Sequence, residues 1–231
     1  MPVNCAQEGS PGEALYQREQ YQKGGIAKKY WDYRDKIILE NIGKDSQVIL
    51  DAGCGEGITL EKICRRFGER RVSGIDIMDE NIAICQQHGL PARKGDLYHL
   101  EMPDNSVDCC VLSEVIEHLE EPEAALLEMK RILKPGGRLI IVFPNDLVFK
   151  LARIATMKFK EAFYDAGHCR QWTPGDMKKQ LTETGLKVER TRNTPFFFWP
   201  MSLHCVVVSR KPLLGSDAPA IPTKPRGEPT K

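Results

Sequence analysis

Apolar residues along the chain follow two alternating spacings, which predict strands and helices in turn. Short continuous apolar runs bounded by glycine, proline or polar residues predict buried strands, whereas three- and four-residue spacings predict amphipathic helices. The predicted helices cover 25–43, 58–67, 79–88, 122–133 and 173–184. The predicted strands cover 47–51, 71–77, 92–96, 107–112 and 138–143, and three further β-like runs follow at 186–191, 196–199 and 203–209.

The alternation of strands and helices with short connections predicts a parallel sheet covered by helices on both faces. The last two β-like runs are joined through Pro200, which predicts a final hairpin and therefore one antiparallel strand. We expect an α/β protein with a Rossmann-like, doubly wound, mostly parallel sheet and one antiparallel C-terminal strand. The aromatic run 196–199 is expected to belong to the sheet core.

The two ends of the chain differ from its body. Residues 1–25 are polar and rich in Gln, Glu and Gly, and residues 213–231 contain repeated prolines and no aromatic residue. Segments of this composition bury too little apolar surface to order by themselves. We therefore expect two poorly ordered tails that flank one domain over residues 26–212.

Charge and cysteine content narrow the class of protein. The 231 residues include 33 Lys and Arg against 32 Asp and Glu, and this balance argues against a nucleic-acid binder. No apolar run reaches the roughly 18 residues of a transmembrane helix, and the N-terminus lacks the pattern of a secretory signal. The eight cysteines include no CxxC pair, and several lie in apolar runs. We expect reduced thiols and a cytoplasmic protein.

A glycine-rich loop, DAGCGEG at 51–57, follows the first strand and opens a helix. Its spacing is GxGxG rather than the GxGxxG of dinucleotide enzymes, which disfavours a dehydrogenase. Two carboxylates, Asp51 and Glu56, would repel a pyrophosphate and suit a cationic ligand such as an ammonium or a sulfonium. The second strand ends at Asp76, where a carboxylate can accept both hydroxyls of a ribose. The alternative is that the loop is only a tight turn.

Five motifs occur in a characteristic order. They are VILDAGCGEG (48–57), GIDI (74–77), GD (95–96), VDCCVLSEVIEHLEEP (107–122) and LKPGGRLIIVFPN (133–145). Over about residues 30–190 the chain resembles the class I S-adenosylmethionine-dependent methyltransferases, especially the small-molecule branch that contains the ubiquinone-biosynthesis methyltransferases. The resemblance implies a seven-stranded sheet, S-adenosylmethionine as cofactor, and methyl transfer to an oxygen or nitrogen of a small-molecule acceptor.

The resemblance also implies the positions that contact the cofactor. They are Asp51, Gly53, Cys54, Gly55, Asp76, Ile77, Asp96, Leu97 and Ser113. In the family, the glycine loop lies along the methionine part, the carboxylate after the second strand holds the ribose, and the GD carboxylate accepts from the adenine amino group. By their residue types alone, Asp96 could equally cap a turn and Ser113 could fill a strand end. The resemblance also suggests that the helix at 26–42 covers the cofactor, with Tyr30 or Arg34 near its carboxylate.

The segment SEVIEH places Glu114, Glu117 and His118 where the acceptor should lie, and in a helix these side chains would share a face. His118 could act as general base because its ordinary pKa is near neutral. A second catalytic candidate is His168, since the family often brings a histidine over the site after the fifth strand. The four residues also resemble the Mg²⁺ quartet of small-RNA 2′-O-methyltransferases. The Glu-His pair is common in the superfamily without metal, so we expect no metal site.

The segment 146–166 is an insertion that mixes apolar and basic residues. It could form a lid over the substrate, a peripheral membrane contact, or a helix packed on the core.

Two other functions stay open: methylation of a terminal ribose of RNA with a metal site, and a cofactor-binding member without catalysis. No N[PS]P[YF] tetrapeptide follows the fourth strand, which tells against methylation of planar amide or nucleobase nitrogens.

Overall fold

The computed structural model describes residues 17–146, 148 and 169–213, without the side chain of Arg70. The expectations for residues 1–16, for most of the 146–166 insertion, for His168 and for residues 214–231 lie outside this part of the chain.

The strands form one seven-stranded sheet in the order β3-β2-β1-β4-β5-β7-β6. Their bounds are β1 Ile49–Ala52, β2 Val72–Asp76, β3 Ala92–Lys94, β4 Val107–Ser113, β5 Leu133–Pro144, β6 Lys187–Thr194 and β7 His204–Arg210. Strands β1 to β5 pair in parallel, whereas β7 runs antiparallel to both of its neighbours, β5 and β6. The predicted fold class is therefore confirmed, including the antiparallel C-terminal strand.

Six helices accompany the sheet in the described residues. They are α1 Gln17–Lys23, α2 Gly25–Asn41, α3 Ile58–Phe67, α4 Asp79–Gln87, α5 Pro122–Ile132 and α6 Pro174–Glu183. The last five agree with the predicted helices to within two residues at each end. Helix α6 begins as its sequence predicts: Thr173 and Asp176 form a reciprocal capping box and Pro174 occupies the first turn.

The core forms two apolar layers, one on each face of the sheet. Along β4, Cys110 and Leu112 belong to one layer, while Cys109 and Val111 belong to the other. This alternation explains why the strand is apolar almost throughout: both of its faces are covered. The seven described cysteines are all free thiols, and six of them are buried. No helix in the described part of the chain combines the length and apolarity that crossing a membrane requires.

The structure departs from the sequence prediction in the strand after α5. The sequence predicts a helix over 122–133 and a strand over 138–143, which leaves residues 134–137 outside both elements. Strand β5 instead starts directly at Leu133, and its pairing with β4 passes from Leu133 opposite Val107 to Arg138 opposite Cys109. The four residues between them form a bulge, in which Gly136 has a φ of 79°.

The expected strand at 196–199 is wrong. The final hairpin joins β6 directly to β7, and residues 195–198 form bends in the connection between them. Phe196, Phe197 and Phe198 are 53%, 94% and 65% exposed, so they are not sheet core. The run is apolar, but residues 195–198 do not pair with a neighbouring strand, and the sheet therefore does not bury them.

Part of the expected N-terminal tail is also ordered, because residues 17–23 form helix α1. Glu56, in the glycine-rich loop, accepts hydrogen bonds from the backbone N–H groups of Gln17 and Arg18 at 3.1 and 2.6 Å. The Tyr21 ring stacks on Trp31 of α2 with 6.0 Å between centroids. Glu56, 38 residues away in the sequence from Arg18, thus caps α1. The amino-acid composition of the N-terminal segment gives no indication of such a contact.

Candidate functional site

The glycine-rich loop joins β1 to α3 at the carboxyl edge of the sheet. The backbone N–H groups of Gly53 and Cys54 both donate to the Ile75 carbonyl of β2, at 2.7 and 2.9 Å. Gly53, Gly55 and Gly57 have φ values of 73°, 52° and 80°, which side-chain-bearing residues rarely adopt. The loop is therefore a tight turn tied to the neighbouring strand, at the place where doubly wound sheets bind ligands.

Gly53 and Gly55 differ in what surrounds them. A Cβ on Gly53 would lie 2.4 Å from a methyl carbon of Val115, whereas a Cβ on Gly55 would meet nothing within 4 Å. Gly53 thus allows the loop to approach the end of β4, and Gly55 borders open space that a ligand could fill. The Cys54 side chain is buried, so only its backbone is left to contact a ligand in that space.

Asp76 ends β2 and its carboxylate organises the loop. Its Oδ2 accepts from the Gly55 N–H at 2.8 Å, and its Oδ1 accepts from the Met78 N–H at 2.9 Å and from the Asn81 amide at 3.0 Å. A carboxylate oxygen can accept two hydrogen bonds, so Oδ2 retains acceptor capacity beside the open space at Gly55. This is the geometry expected of a ribose-binding carboxylate.

Asp51, at the foot of the loop, is buried and incompletely satisfied. Its Oδ2 has no hydrogen-bond partner among the described residues. Burial, reinforced by the negative charges of Asp35 and Asp76, raises the pKa of Asp51 to about 7. A ligand that brings a cationic N–H donor would supply the missing partner and favour the ionised carboxylate.

The residues expected at the adenine form a more open surface. The Ile77 side chain is 59% exposed directly after Asp76, whereas Leu97 is buried. Asp96 is exposed, and its Oδ1 accepts from the Tyr98 N–H at 2.9 Å. Asp96 therefore does cap a turn, and among the described residues no donor bonds its other oxygen, which leaves that oxygen available to a ligand. Whether these three residues contact adenine stays a prediction.

Two further groups at the end of β4 are buried without a hydrogen bond from the rest of the described structure. They are the Ser113 hydroxyl and the Oε2 atom of Glu117. Burial, with the nearby Asp146 carboxylate, raises the pKa of Glu117 to about 8. A hydroxyl and a carboxyl left unsatisfied next to the loop mark this edge as a place for a polar ligand.

The expected helix over SEVIEH does not form. Glu114 has a φ of 56°, and a short 3-10 helix, Ile116–His118, follows. As a result the three side chains separate: Glu117 is buried, His118 is exposed, and Glu114 points to other elements of the fold. The described residues include no group of three or more His, Cys, Asp or Glu side chains that could hold a metal ion.

Glu114 instead joins a cluster that the sequence did not reveal. Its carboxylate is ion-paired with Arg34 of α2, and its Oε1 lies 3.1 Å from Nε2 of His204, the first residue of β7. The Nδ1 atom of His204 lies 2.7 Å from the Tyr30 hydroxyl. Burial and the Arg34 charge lower the pKa of His204 well below its ordinary value. The Tyr30 hydroxyl also donates to the Thr194 carbonyl at 3.3 Å.

Tyr30 and Arg34, both expected near the cofactor carboxylate, are thus engaged with other residues. Arg34 donates to Asp35 Oδ1 through two nitrogens at 3.0 and 2.9 Å, in addition to its pair with Glu114. His204 lies in the apolar run LHCVVVS, which reads as an ordinary core strand. Its partners are 90 and 174 residues away in the sequence, so no local signal could have identified it.

Comparison with known proteins finds similar methyltransferases. Residues 50–141 match the family model of a methyltransferase domain. A probable S-adenosylmethionine-dependent methyltransferase of Mycolicibacterium smegmatis is 30% identical over 175 residues, which cover 72% of this chain and 63% of that protein. A ubiquinone biosynthesis O-methyltransferase of Leptothrix cholodnii is 24% identical over 198 residues, covering 74% of this chain and 83% of that one. The chain therefore spans less than two thirds of the mycobacterial relative.

The fold agrees as well. The crystal structure of a SAM-dependent methyltransferase from Archaeoglobus fulgidus superposes with a TM-score of 0.66 at 17% identity, covering 85% of this chain and all of that one. The sheet order and the glycine loop are those of an α/β protein of the Rossmann-like class. Residues 50–141 match a methyltransferase domain, and over most of its length the chain is similar to S-adenosylmethionine-dependent methyltransferases.

The residues present fit the cofactor of this family. The unpartnered Asp51 Oδ2 lies at the foot of the loop, where an α-ammonium would supply a donor, and Gly55 borders space that no protein atom fills. The spare capacity of Asp76 Oδ2 suits a ribose hydroxyl. S-Adenosylmethionine is therefore the cofactor that the family and the site both indicate.

Proposed function

We propose that this protein transfers a methyl group from S-adenosylmethionine to an oxygen or nitrogen of a small-molecule acceptor. The observation that carries the proposal is the pair of buried polar atoms, Asp51 Oδ2 and Ser113 Oγ, which belong to the neighbouring strands β1 and β4 and lack hydrogen-bond partners in the described structure. When bound, the cofactor supplies an activated methyl group. The protein's own task is then to bind, orient and desolvate the reactants.

The proposed binding roles follow the contacts of each side chain. Asp51 accepts from the α-ammonium, Asp76 accepts from the ribose hydroxyls, and Asp96 accepts from the adenine amino group. Ser113 lies near the sulfonium, because it is the last residue of β4 and β4 pairs with β1, the strand that precedes the glycine loop. Each assignment rests on a position that matches the family motif and on an oxygen with free acceptor or donor capacity.

The charge balance of the chain supports a small-molecule acceptor over RNA. The net charge of +1 lacks the strong basic excess that is typical of RNA-binding proteins. The ubiquinone biosynthesis relative, whose name indicates an O-methyl acceptor, also favours a small molecule.

The test of the proposal has two stages. Calorimetry first measures the affinity for S-adenosylhomocysteine, the product form of the cofactor. Enzyme and methyl-labelled S-adenosylmethionine are then incubated with pooled metabolite extracts, and mass spectrometry identifies any labelled product. Tight binding with no labelled product from any pool would favour a cofactor-binding protein without catalysis.

The affinity for S-adenosylhomocysteine should rise with pH. Because the pKa of Asp51 is raised to about 7, its carboxyl is protonated below that pH and must lose the proton to accept from the ligand ammonium. Single-proton linkage then predicts about a tenfold gain in affinity per pH unit below pH 7 and a plateau above it. Calorimetry from pH 5 to 8 measures this slope, and the Asp51→Asn variant should lose it. An equal slope in both proteins would exclude Asp51 as its source.

Replacing His118 by alanine tests the proposed general base. If this exposed imidazole accepts the proton of the acceptor, turnover should fall about 10²–10⁴-fold while the affinity for S-adenosylhomocysteine stays nearly unchanged. The residual rate should increase with pH as hydroxide replaces the imidazole. Full activity of His118→Ala would show that His118 has no catalytic role. A variant of His168 would then be the next to test.

A chelator separates the metal-free mechanism from the metal-dependent one. We propose the metal-free mechanism, because Arg34 already neutralises Glu114 and Glu117 turns away from His118. Activity should therefore survive EDTA. Loss of activity in EDTA with recovery on addition of Mg²⁺ would contradict this, and Glu114→Ala and Glu117→Ala should then be as damaging as His118→Ala.

A further inference from the structure

The connection between β6 and β7 presents an apolar surface beside the acceptor side of the site. We call residues 195–201, with the sequence PFFFWPM, the aromatic loop. Phe196, Phe197, Phe198 and Met201 are 53%, 94%, 65% and 60% exposed. The loop starts directly after Thr194, whose carbonyl lies 3.3 Å from the Tyr30 hydroxyl of the Glu114 cluster. Side chains of this size are normally buried, so their joint exposure requires an explanation.

Buried polar side chains hold the aromatic loop in one conformation. The Ser202 hydroxyl, which is fully buried, lies 2.6 Å from the Phe196 carbonyl and 3.0 Å from the Phe198 carbonyl. The Asn193 amide donates to the Phe197 carbonyl, and the Asn145 amide donates to the Trp199 carbonyl, each at 2.8 Å. The Trp199 ring packs inward on Phe143 at 5.7 Å between centroids. The phenylalanines are therefore held outward by the fold itself.

The carbonyl groups of the aromatic loop are satisfied within the protein. All four consecutive carbonyls from Phe196 to Trp199 are hydrogen-bonded. Pro195 and Pro200 carry no N–H, and the N–H of Met201 donates to the Phe198 carbonyl. These internal bonds lower the cost of moving the carbonyl groups from water into an apolar phase.

The size of the surface argues against a second copy of the chain. At about 150–250 Å² for a large apolar side chain, the exposed parts of the four residues come to roughly 500 Å². A stable dimer buries about 800 Å² on each partner. Strand β6, which leads into the loop, carries Lys187, Arg190 and Arg192, and its one acid, Glu189, is paired with Arg210 at 2.5 Å. The two arginines of β6 donate to uncharged groups of α2, the Asn41 Oδ1 atom and the Tyr33 hydroxyl, so their positive charges are not neutralised by these contacts.

We propose that the aromatic loop inserts into the surface of a lipid bilayer, and that the positive charge of β6 strengthens its binding to anionic headgroups. Aromatic side chains favour the boundary between headgroups and acyl chains, and neighbouring Lys and Arg residues add attraction to anionic lipids. Insertion of one loop gives reversible, peripheral binding. This inference is independent of the proposed reaction, because it requires neither the cofactor nor an acceptor.

Vesicle sedimentation with the full chain tests the proposal. We expect binding to phosphatidylcholine vesicles, strengthened by added phosphatidylglycerol. The double variant Phe197→Ser/Phe198→Ser should reduce binding at least tenfold to both compositions. Leu127→Ser, at a position 49% exposed on α5, is the matched control and should bind as the wild type does. Both variants should keep the wild-type affinity for S-adenosylhomocysteine and the wild-type melting temperature.

The depth to which the aromatic loop enters the bilayer is measured with a tryptophan placed in the loop. Phe197→Trp emission should be quenched by lipids brominated on their acyl chains, and Leu127→Trp emission should not gain any such quenching over the wild type. Three results would overturn the proposal: no vesicle binding by the wild type, equal binding by the double variant, or a dimer in light scattering that the double variant abolishes. The last would identify a second copy as the partner.

Discussion

Replacing Asp76 by alanine should lower the affinity for S-adenosylhomocysteine by about 10–100-fold. Hydrogen bonds to a charged group contribute roughly 1.5–3 kcal/mol, and this carboxylate also fixes the loop through the Gly55 N–H at 2.8 Å. Calorimetry measures the loss directly. Asp76→Asn should fall between the wild type and Asp76→Ala, because an amide keeps one acceptor oxygen.

Asp79→Ala is the control for the loss of one negative charge near the site. Asp79 lies three residues further on, and its carboxylate is 74% exposed in a surface pair with Lys94. Exposed pairs of this kind contribute little to stability or to a neighbouring site. If Asp76→Ala bound the ligand as tightly as the wild type, the ribose assignment would be wrong; equal losses in both variants would indicate a nonspecific charge effect.

Gly53→Val should destabilise the fold by roughly 2–5 kcal/mol. The added Cβ would lie 2.4 Å from a methyl carbon of Val115, and the φ of 73° is unfavourable for any L side chain. Overpacking costs about 1–3 kcal/mol, and a left-handed residue costs about 1–2 kcal/mol. Urea denaturation followed by circular dichroism measures the change.

Gly55→Ala is the matched comparison within the same loop. Its Cβ would enter open space, so the unfolding free energy should fall only by the roughly 1–2 kcal/mol of the left-handed backbone, while the affinity for S-adenosylhomocysteine falls too. A Gly53→Val protein as stable as the wild type would show that Val115 moves aside. A Gly55→Ala protein with normal affinity would show that the ligand does not use this space.

The fold was predictable because its signals are local. Helix α3 occupies 58–67 as its apolar spacing predicts, and the buried strands β1 and β4 appear as continuous apolar runs between turn residues. Asp76 was predictable for the same reason: it follows a strand at a fixed place after a glycine loop. The close approach of Gly53 to Val115 was not predictable, because the two residues are 62 positions apart in the sequence.

The acceptor side was less predictable because it depends on long-range contacts. Glu114 adopts a left-handed backbone that interrupts the expected helix, so the shared face of Glu114, Glu117 and His118 does not exist. Its partners Arg34 and His204 come from α2 and β7, at opposite ends of the domain. The predicted strand at 196–199 was wrong for a related reason. The hydrophobicity of a residue indicates that it favours burial, but its exposure depends on whether another element of the fold lies over it.

The order of the strands leaves β3 and β6 at the two borders of the sheet, and both are charged. Arg93 and Lys94 occupy two of the three residues of β3, and β6 alternates cations with Glu189 along its exposed half. A border strand offers unpaired N–H and C=O groups to any extended chain, and charged side chains there oppose such pairing. The charged side chains thus protect both borders of the sheet against pairing with further chains, even though the loop that leaves β6 exposes Phe196, Phe197 and Phe198.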